Sequence, residues 1–194
     1  MIDKSFSKLS DFIYIKHGEL SKDFCNNCIE KFKSDDRKHD GMTADGVDHD
    51  VKISTDLNIA FCDDWENEQV VFFESLLRTL DDYQNIYGDL FNSLLLPMKN
   101  SGYQIQETKP GGFYDWHDDF SVQDDYFRVL TYIWYLNDIN DGGYTEFIDG
   151  TKIKPEAGKL VLFPSTWTYL HRGVSPLSET KYISTGWVFL KKFD

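Results

Sequence analysis

The sequence has few basic residues and no long apolar run, and each of these shortages argues against certain classes of function. It carries 20 Lys and Arg residues against 33 Asp and Glu residues, for a formal net charge of −13. Nucleic acids and anionic membrane surfaces are bound through basic faces, so neither is expected as a partner. No apolar stretch approaches the ~20 residues that cross a bilayer, and the first residues lack the apolar core of a signal peptide. We therefore expect a cytoplasmic protein without membrane attachment.

Cysteine is equally scarce, with three residues at positions 25, 28 and 62. Cys25 and Cys28 have the spacing of a redox motif, but they lie inside a helical pattern with no βαβ unit around them. A zinc site would need a second pair of ligands, and none is clearly spaced for it. In a chain without an export signal we expect three free thiols.

The chain does contain enough apolar and aromatic residues for one globular domain. Hydrophobic residues make up 41% and aromatic residues 16% of its 194 residues, a composition that leans toward β structure. Helical periodicity predicts a helix from Ser21 to about Phe32 and a second over 66–87. We expect the second helix to bury the side chains of Val70, Phe73, Leu77, Leu80 and Tyr83. The polar segment 34–50 has no periodicity and is predicted to be a long loop.

Strand patterns dominate the rest of the sequence. Apolar runs bounded by turn residues predict strands at 11–16, 103–108, 129–136, 159–163 and 181–190. The run 129–136 is almost continuously apolar, which indicates a central strand covered on both faces. Many short strands at such intervals favour a sandwich or jelly roll. We expect residues 99–194 to form this core and residues 1–98 to support it within a single domain, 1–194.

A possible metal site begins at Trp116-His-Asp-Asp-Phe120. Residues two apart in an extended strand point to one face, so His117 and Asp119 can bind one metal from one strand end. His171 is the best candidate for a third ligand. Two imidazoles and one carboxylate form the facial triad of non-haem iron(II) enzymes that use dioxygen. A surface turn with a capping aspartate is the alternative interpretation of the His-x-Asp step.

The last predicted strand carries one cation on a face that is otherwise apolar or weakly polar. Period-two alternation puts Lys181, Ile183, Thr185, Trp187 and Phe189 on that face. A lysine directed inward needs an anionic partner, which the far carboxylate of a dicarboxylic co-substrate would supply. A lysine that begins the strand in solvent is the alternative.

The segment 138–149 mimics a calcium-binding loop, with Gly143 at its sixth position and Asp149 at its twelfth. Strand patterns flank it where an EF-hand needs helices. We therefore expect a hairpin turn.

The second half of the chain resembles a known enzyme family. The runs that carry the resemblance are Arg128–Asn137, Gly142–Phe147, Pro155–Phe163, His171–Val174 and Lys181–Trp187. In order and spacing they resemble the prolyl 4-hydroxylase branch of the iron(II)- and 2-oxoglutarate-dependent dioxygenases, and phage and bacterial members are the most similar. The resemblance implies a mainly β fold in which helices brace a double-stranded β-helix, or jelly-roll, core. It also implies iron(II), 2-oxoglutarate and dioxygen as cofactor and co-substrates, with ascorbate as a further candidate.

The resemblance assigns roles to individual residues. His117, Asp119 and His171 match the iron ligands, and Lys181 matches the basic residue that pairs with the C5 carboxylate of 2-oxoglutarate. Tyr135 matches a tyrosine that hydrogen-bonds the same carboxylate in some members. Thr185 and Trp187 match positions that line the co-substrate and substrate sides of the pocket. Asp119 also favours hydroxylation, because related halogenases have a small residue at its position.

The sequence departs from the family pattern in two places. Lys109 stands where many relatives have a tyrosine before Pro-Gly, so Gln104, Gln106 and Tyr114 all remain candidates to orient the other end of the co-substrate. The residue after the second histidine is Arg172, while the following Gly173 is retained.

The expected activity is hydroxylation of a prolyl residue in a peptide or protein, with segment 34–50 folding over the substrate. By resemblance, segment 34–50 and the adjoining 51–54 correspond in position to the family's mobile substrate loop, and a flexible surface linker is the alternative interpretation. The acidity of the chain favours a basic or neutral peptide over an acidic one. Two other oxygenase substrates stay open, a small molecule and a nucleic-acid base. A jelly-roll binding module that has lost catalysis is the hypothesis from a different class.

Overall fold

The structure is a computed structural model that describes residues 8–91 and 98–191. The first seven residues, on which the expectation about a signal peptide partly depends, lie outside this range. The described residues form two α-helices, α1 (Lys22–Ser34) and α2 (Glu66–Phe91), and fourteen strands. The strands are β1 (Tyr14–Lys16), β2 (His39–Asp40), β3 (Lys52–Ile53), β4 (Thr55–Asn58), β5 (Met98–Asn100), β6 (Gln104–Thr108), β7 (Phe113–His117), β8 (Val122–Gln123), β9 (Tyr126–Tyr135), β10 (Thr145–Phe147), β11 (Lys152–Ile153), β12 (Leu160–Pro164), β13 (His171–Gly173) and β14 (Lys181–Lys191). Among the described residues, neither α-helix is long and apolar enough to cross a lipid bilayer.

The strands form two antiparallel sheets that pack face to face. The larger has the order β1-β12-β9-β14-β6-β4-β2, with β5 beside β14 and β8 beside β9. The smaller has the order β11-β10-β13-β7-β3. The sequence-based fold class, a mainly β jelly roll with bracing helices, is confirmed. Strands from the first half of the chain extend both sheets, because β4 pairs with β6 and β3 pairs with β7.

The long strands of the larger sheet begin and end close to their predicted positions. The exception is the predicted strand 11–16, of which only Tyr14–Lys16 is extended. The residues before it form a 3-10 helix, Leu9–Phe12, because the Asp11 carboxylate accepts a hydrogen bond from the Lys8 N–H and so closes a turn.

Strand β9 separates two apolar cores. Tyr132 and Trp134 face the helices, and the Trp134 indole N–H donates to Ser75 of α2. Ile133 and Tyr135 face the smaller sheet, where a second cluster of apolar side chains lies between the sheets. The prediction of a doubly covered central strand is therefore confirmed, and the second core leaves room for a cavity at one end of the sandwich.

The first helix follows its prediction. The Ser21 hydroxyl caps it by accepting the Phe24 N–H. Cys25, Cys28 and Cys62 are buried and free, as expected. Burial raises the pKa of the Cys25 thiol to about 11, so a reactive thiolate at this position is disfavoured.

The predicted buried face of the second helix is wrong by about one residue over its first half. Val70, Phe73 and Leu77 are about half exposed, whereas Phe72 and Leu76 are buried. Further along, Tyr83 is buried and Leu80 packs against the core, as predicted. The helix carries two adjacent apolar stripes, and the stripe that contains Phe72 packs on the aromatic side chains of the larger sheet. Periodicity finds an amphipathic helix, but it cannot choose between neighbouring stripes of similar hydropathy.

The segment predicted as a long loop is partly ordered. His39–Asp40 forms β2 and pairs with β4, and Thr43 and Gly46 form an isolated bridge that closes a tight turn. Further along, the Lys52 N–H donates to the Asp48 carbonyl. These contacts tie the segment to both sheets beside the cavity described below.

Candidate functional site

Three side chains that could hold a metal converge at one end of the sandwich. The ligand atoms of His117, Asp119 and His171 all lie within 4.8 Å of one another. His117 ends β7, His171 begins β13, and the two residues stand directly opposite each other in the register of these strands. Asp119 lies two residues beyond the end of β7. The described residues contain no other group of three or more such side chains.

Backbone carbonyls hold both imidazole rings in the same way. His117 Nδ1 lies 2.7 Å from the Asp115 carbonyl oxygen, and His171 Nδ1 lies 2.9 Å from that of Tyr169. An Nδ1–H that donates to a carbonyl leaves the Nε2 lone pair free as a ligand. The His171 Nε2 accordingly faces Asp119, 3.5 Å from its Oδ2.

Aromatic side chains fix the ring planes. The His117 ring stacks on Tyr114 with centroids 3.5 Å apart and planes inclined by 14°. Phe163 meets the His171 ring edge-on at 4.9 Å. Burial, reinforced by the second histidine, lowers the pKa of His117 to about 4. The ring is therefore neutral at physiological pH, which is the form that binds a metal.

Asp119 is buried and ionised. Burial by itself would raise its pKa, but His171 and His117 outweigh that effect and the pKa lies below its ordinary value. The Thr131 hydroxyl donates to Asp119 Oδ2 at 2.8 Å and accepts from the Ser165 hydroxyl at 2.9 Å. The Trp187 indole N–H lies close enough to lower the same pKa, although within the described residues it makes no well-formed hydrogen bond.

The triad borders a cavity between the two sheets that measures about 620 Å³ when the open space at its mouth is included. Lys181, Ile183, Thr185 and Trp187 all line it, so the predicted alternation along β14 places four of its five residues in one wall. Phe189, the fifth, lies beyond the cavity. The Thr185 hydroxyl donates to the Tyr132 carbonyl at 2.9 Å.

Lys181 is the main electrostatic anomaly of this wall. It is 5% exposed, and no carboxylate or hydrogen-bond acceptor within the described part of the chain partners its ammonium. Burial alone lowers its pKa to about 8. A buried cation without an internal counterion is stabilised by an anionic ligand that enters the cavity.

Only some of the other residues assigned by resemblance line the cavity. Tyr135 lies behind the wall, where its hydroxyl meets the Thr145 hydroxyl at 2.7 Å, and Thr145 rather than Tyr135 lines the cavity. Gln106 and Tyr114 line the cavity. Gln104 does not, because its side-chain amide donates to Asp56.

Lys109, which replaces the tyrosine of many relatives, lies on the surface. Its ammonium is 3.4 Å from Glu107, and its side chain is 69% exposed. The family's tyrosine position therefore contributes nothing to the cavity here.

Sequence reasoning missed a polar group on the smaller sheet's side of the cavity. The Lys52 ammonium lies 2.6 Å from Asp56 Oδ2, and both side chains are buried. Ser54 donates to the same carboxylate, and Gln104 donates to its Oδ2. Positions 52, 54 and 56 are all polar at period two, which was the available signal, but such a pattern usually indicates a solvent-facing side of a strand.

The residues present fit a bound metal of the iron type. Two neutral imidazoles and one carboxylate, with no thiolate, suit a divalent first-row metal and leave coordination positions for other ligands. Lys181 on the same cavity fits an anionic ligand. The segment that resembles a calcium loop is not the expected hairpin turn, because it connects β9 of the larger sheet to β10 of the smaller sheet.

Comparison with known proteins agrees with this geometry. Residues 103–189 match the family described as the 2OG-Fe(II) oxygenase superfamily. No curated protein sequence matches the chain significantly. The residues matched by the family include all three members of the triad and Lys181.

Solved structures resemble more than nine-tenths of the chain. One is the viral collagen prolyl hydroxylase of Paramecium bursaria Chlorella virus 1 in its 2-oxoglutarate complex, with a TM-score of 0.66, 21% identity and coverage of 92% of this chain and 96% of that one. A Pseudomonas putida prolyl-4-hydroxylase matches with a TM-score of 0.66, 19% identity and 93% coverage of both chains. A Trichoplax adhaerens prolyl hydroxylase in complex with a hypoxia inducible factor oxygen degradation domain peptide fragment matches with a TM-score of 0.69, 19% identity and coverage of 93% and 84%. At such identities the likeness establishes the fold.

Proposed function

We propose that this chain, whose residues 103–189 match the 2OG-Fe(II) oxygenase superfamily, is such an oxygenase and hydroxylates prolyl residues in a peptide or protein. His117, Asp119 and His171 would hold iron(II), and Lys181 would bind the far carboxylate of 2-oxoglutarate. The observation that carries the assignment is the buried, unpartnered Lys181 ammonium in the same cavity as the triad. A metal site alone would not need that cation.

The chain contributes position and charge rather than reactivity. When bound, iron(II) and 2-oxoglutarate together activate dioxygen and oxidise a substrate C–H bond. The imidazoles present their Nε2 atoms, because backbone carbonyls engage Nδ1. Thr131 and Ser165 fix the Asp119 carboxylate in a single orientation. Such outer contacts commonly affect metal affinity by about 10- to 100-fold.

The co-substrate would span the cavity from the triad to Lys181. Thr145 lines the cavity, and its hydroxyl is hydrogen-bonded to the Tyr135 hydroxyl behind it. The Thr145 hydroxyl would therefore contact the far carboxylate in place of the tyrosine hydroxyl that does so in some family members. Gln106 and Tyr114 remain the candidates for orienting the end nearest the metal. Gln104 is no longer a candidate, because its side-chain amide donates to Asp56.

The prolyl substrate rests on three supports. The similar structures from the virus, from Pseudomonas and from Trichoplax are all of prolyl hydroxylases, and the last holds a peptide. Trp187 gives the cavity an aromatic wall beside Asp119, which suits a pyrrolidine ring. The open mouth lies beside segment 41–54, which supplies a wall for an extended chain.

The test is product analysis with matched substrates. The purified chain is incubated with iron(II), 2-oxoglutarate and dioxygen, with or without peptides that contain one proline, and succinate is measured beside the peptide mass. We expect peptide-dependent succinate release and the gain of one oxygen atom on proline, both lost in His171→Ala. Oxygen on another residue, or only on a free small molecule such as proline, would contradict the prolyl peptide substrate while keeping the oxygenase. Absence of any succinate would contradict both.

A further inference from the structure

One side of the cavity mouth is acidic and has no neutralising cations. Residues 39–51 and 110–127 contain no lysine or arginine. Five exposed aspartates from these segments form what we call the acidic rim: Asp45, Asp48, Asp50, Asp115 and Asp118. Among the described residues, none of the five forms an ion pair.

Backbone contacts place the two segments side by side at the mouth. The Asp115 N–H donates to the Val51 carbonyl, and the Lys52 ammonium, which lines the cavity, lies 3.4 Å from the Met42 carbonyl oxygen. Residues 113–120 are divided between the cavity and the outside. Phe113, Tyr114, His117 and Asp119 line the cavity, whereas Asp115 and Asp118 are exposed.

The cations that border the rim are already engaged. Lys52 is paired with Asp56, and Arg172 lies 2.6 Å from Glu146. The Arg128 guanidinium stacks on Trp187 at 3.7 Å and donates to the Asp119 carbonyl. None of these cations forms an ion pair with a rim aspartate, so the five carboxylates keep their negative charge at the mouth.

Several acidic side chains elsewhere in the fold form ion pairs. Asp82 lies 2.8 Å from Lys16, and Glu19 lies 2.8 Å from Arg78. Unpaired exposed acids also occur outside the rim, for example Glu74 and Asp81 of α2. None of the described residues of α2 lines the cavity.

Exposed apolar side chains are mixed with the rim. Met42 is 52%, Val47 is 54%, Trp116 is 38% and Phe120 is 49% exposed. Trp116 and Phe120 flank His117 and Asp119 in sequence, so this apolar surface continues into the mouth of the site. Apolar contact beside unpaired charge is typical of a surface that binds a charged peptide.

We propose that the acidic rim docks a cationic peptide segment, so that the substrate carries lysine or arginine residues close to its target proline. The inference rests on the proposed function and specifies its substrate. The aspartates attract and orient the basic flank, and the exposed apolar side chains contact the aliphatic parts of the peptide. Trp187 and the triad then receive the proline.

The rim can be neutralised without disturbing its turns. The Asp48 carboxylate accepts the Asp50 backbone N–H. Asparagine keeps such an acceptor and removes the charge. The test protein is therefore Asp45→Asn/Asp48→Asn/Asp50→Asn, which leaves Asp115 beside His117 unchanged. The control, Glu74→Gln/Asp81→Asn/Asp149→Asn, makes the same change in net charge outside the rim.

Binding is measured by fluorescence anisotropy, with iron(II) and 2-oxoglutarate present and dioxygen excluded. Four labelled peptides of equal length are compared: three contain one proline flanked by lysine, serine or glutamate, and one has lysine flanks with alanine in place of proline. At low salt we expect the lysine-flanked peptides to bind at least about tenfold more tightly than the glutamate-flanked one. The preference should shrink in 1 M salt, where charges are screened beyond about 3 Å.

Comparison of the rim variant with the control variant then tests the proposal. The rim variant should lose the preference for lysine flanks, the control should keep it, and succinate release without peptide should be equal in both. Equal loss in the control, or no preference in the parent protein, would overturn the inference. If proline peptides are hydroxylated equally whatever their flanks, the inference is wrong and the proposed function stands. If lysine-flanked peptides bind through the rim but no proline is hydroxylated, the docking surface stands and the prolyl activity is wrong.

Discussion

Two buried lysines border the same cavity from the two sheets, and their surroundings differ. Lys52, in the smaller sheet, forms an ion pair with Asp56 at 2.6 Å, and the same carboxylate also receives Ser54 and Gln104. Lys181, in the larger sheet, has no partner within the described residues, and burial lowers its pKa to about 8. A cation neutralised from within stabilises the fold, whereas a cation left without a partner is available to a ligand.

The largest expected effect separates the two lysines by stability. Lys52→Met leaves Asp56 as a buried charge without a cation, so the free energy of unfolding should fall by about 3–5 kcal/mol. Lys181→Met removes a desolvated charge that has no internal partner and should leave that free energy unchanged or higher. Denaturant unfolding of the ligand-free proteins measures both. Similar stabilities for the two variants would mean that the difference between the lysines has no energetic basis.

The next effect separates them by co-substrate binding. Lys181→Met should weaken 2-oxoglutarate binding by about 2–5 kcal/mol, because the bound carboxylate would be buried without its counterion. Iron(II) affinity should change much less, since Lys181 is not a ligand. Lys52→Met, studied under conditions where it is folded, is the matched control and should keep its apparent KM for 2-oxoglutarate. The opposite pattern, with the KM raised by Lys52→Met alone, would mean that Lys52 rather than Lys181 binds the co-substrate.

The smallest effect is a pH dependence that belongs to Lys181. Its folded-state pKa of about 8 lies below the ordinary value of 10.5, so the free protein loses this charge as pH rises through about 8. Affinity for 2-oxoglutarate should be constant below that pH and fall by up to about tenfold per unit above it. The ligand-free protein should gain stability between pH 8 and 10.5, because there the unfolded chain binds the additional proton. Lys181→Met should show neither trend, and a parent protein without them would contradict the buried, unpaired state of this lysine.

The two lysines also show what a sequence can and cannot predict. Lys181 was identified because one charge on an otherwise apolar strand face breaks a period-two pattern that burial enforces. Lys52 lies in a segment that passes from β3 to β4, where positions 52, 54 and 56 are all polar. Only the fold reveals that these three form a buried network, because their partner Gln104 arrives from a distant strand.

The triad illustrates the same limit. The His-x-Asp step and the family spacing indicated His117, Asp119 and His171, but their convergence depends on β7 and β13 pairing with the two histidines opposite each other. Short strands such as these leave little periodicity in the sequence. The buried stripe of α2 was wrong for a related reason, because packing against Trp134 and its neighbours chose between two similar stripes.

The central claim is that one cavity holds iron(II) at the triad and 2-oxoglutarate at Lys181, and an anaerobic crystal structure with both ligands tests it most directly. The account predicts a metal bound by His117, Asp119 and His171, with the far carboxylate of 2-oxoglutarate on the Lys181 ammonium and the Lys52–Asp56 pair intact. A metal bound elsewhere, or a co-substrate carboxylate that displaces Asp56 from Lys52 while Lys181 remains without a partner, would contradict it.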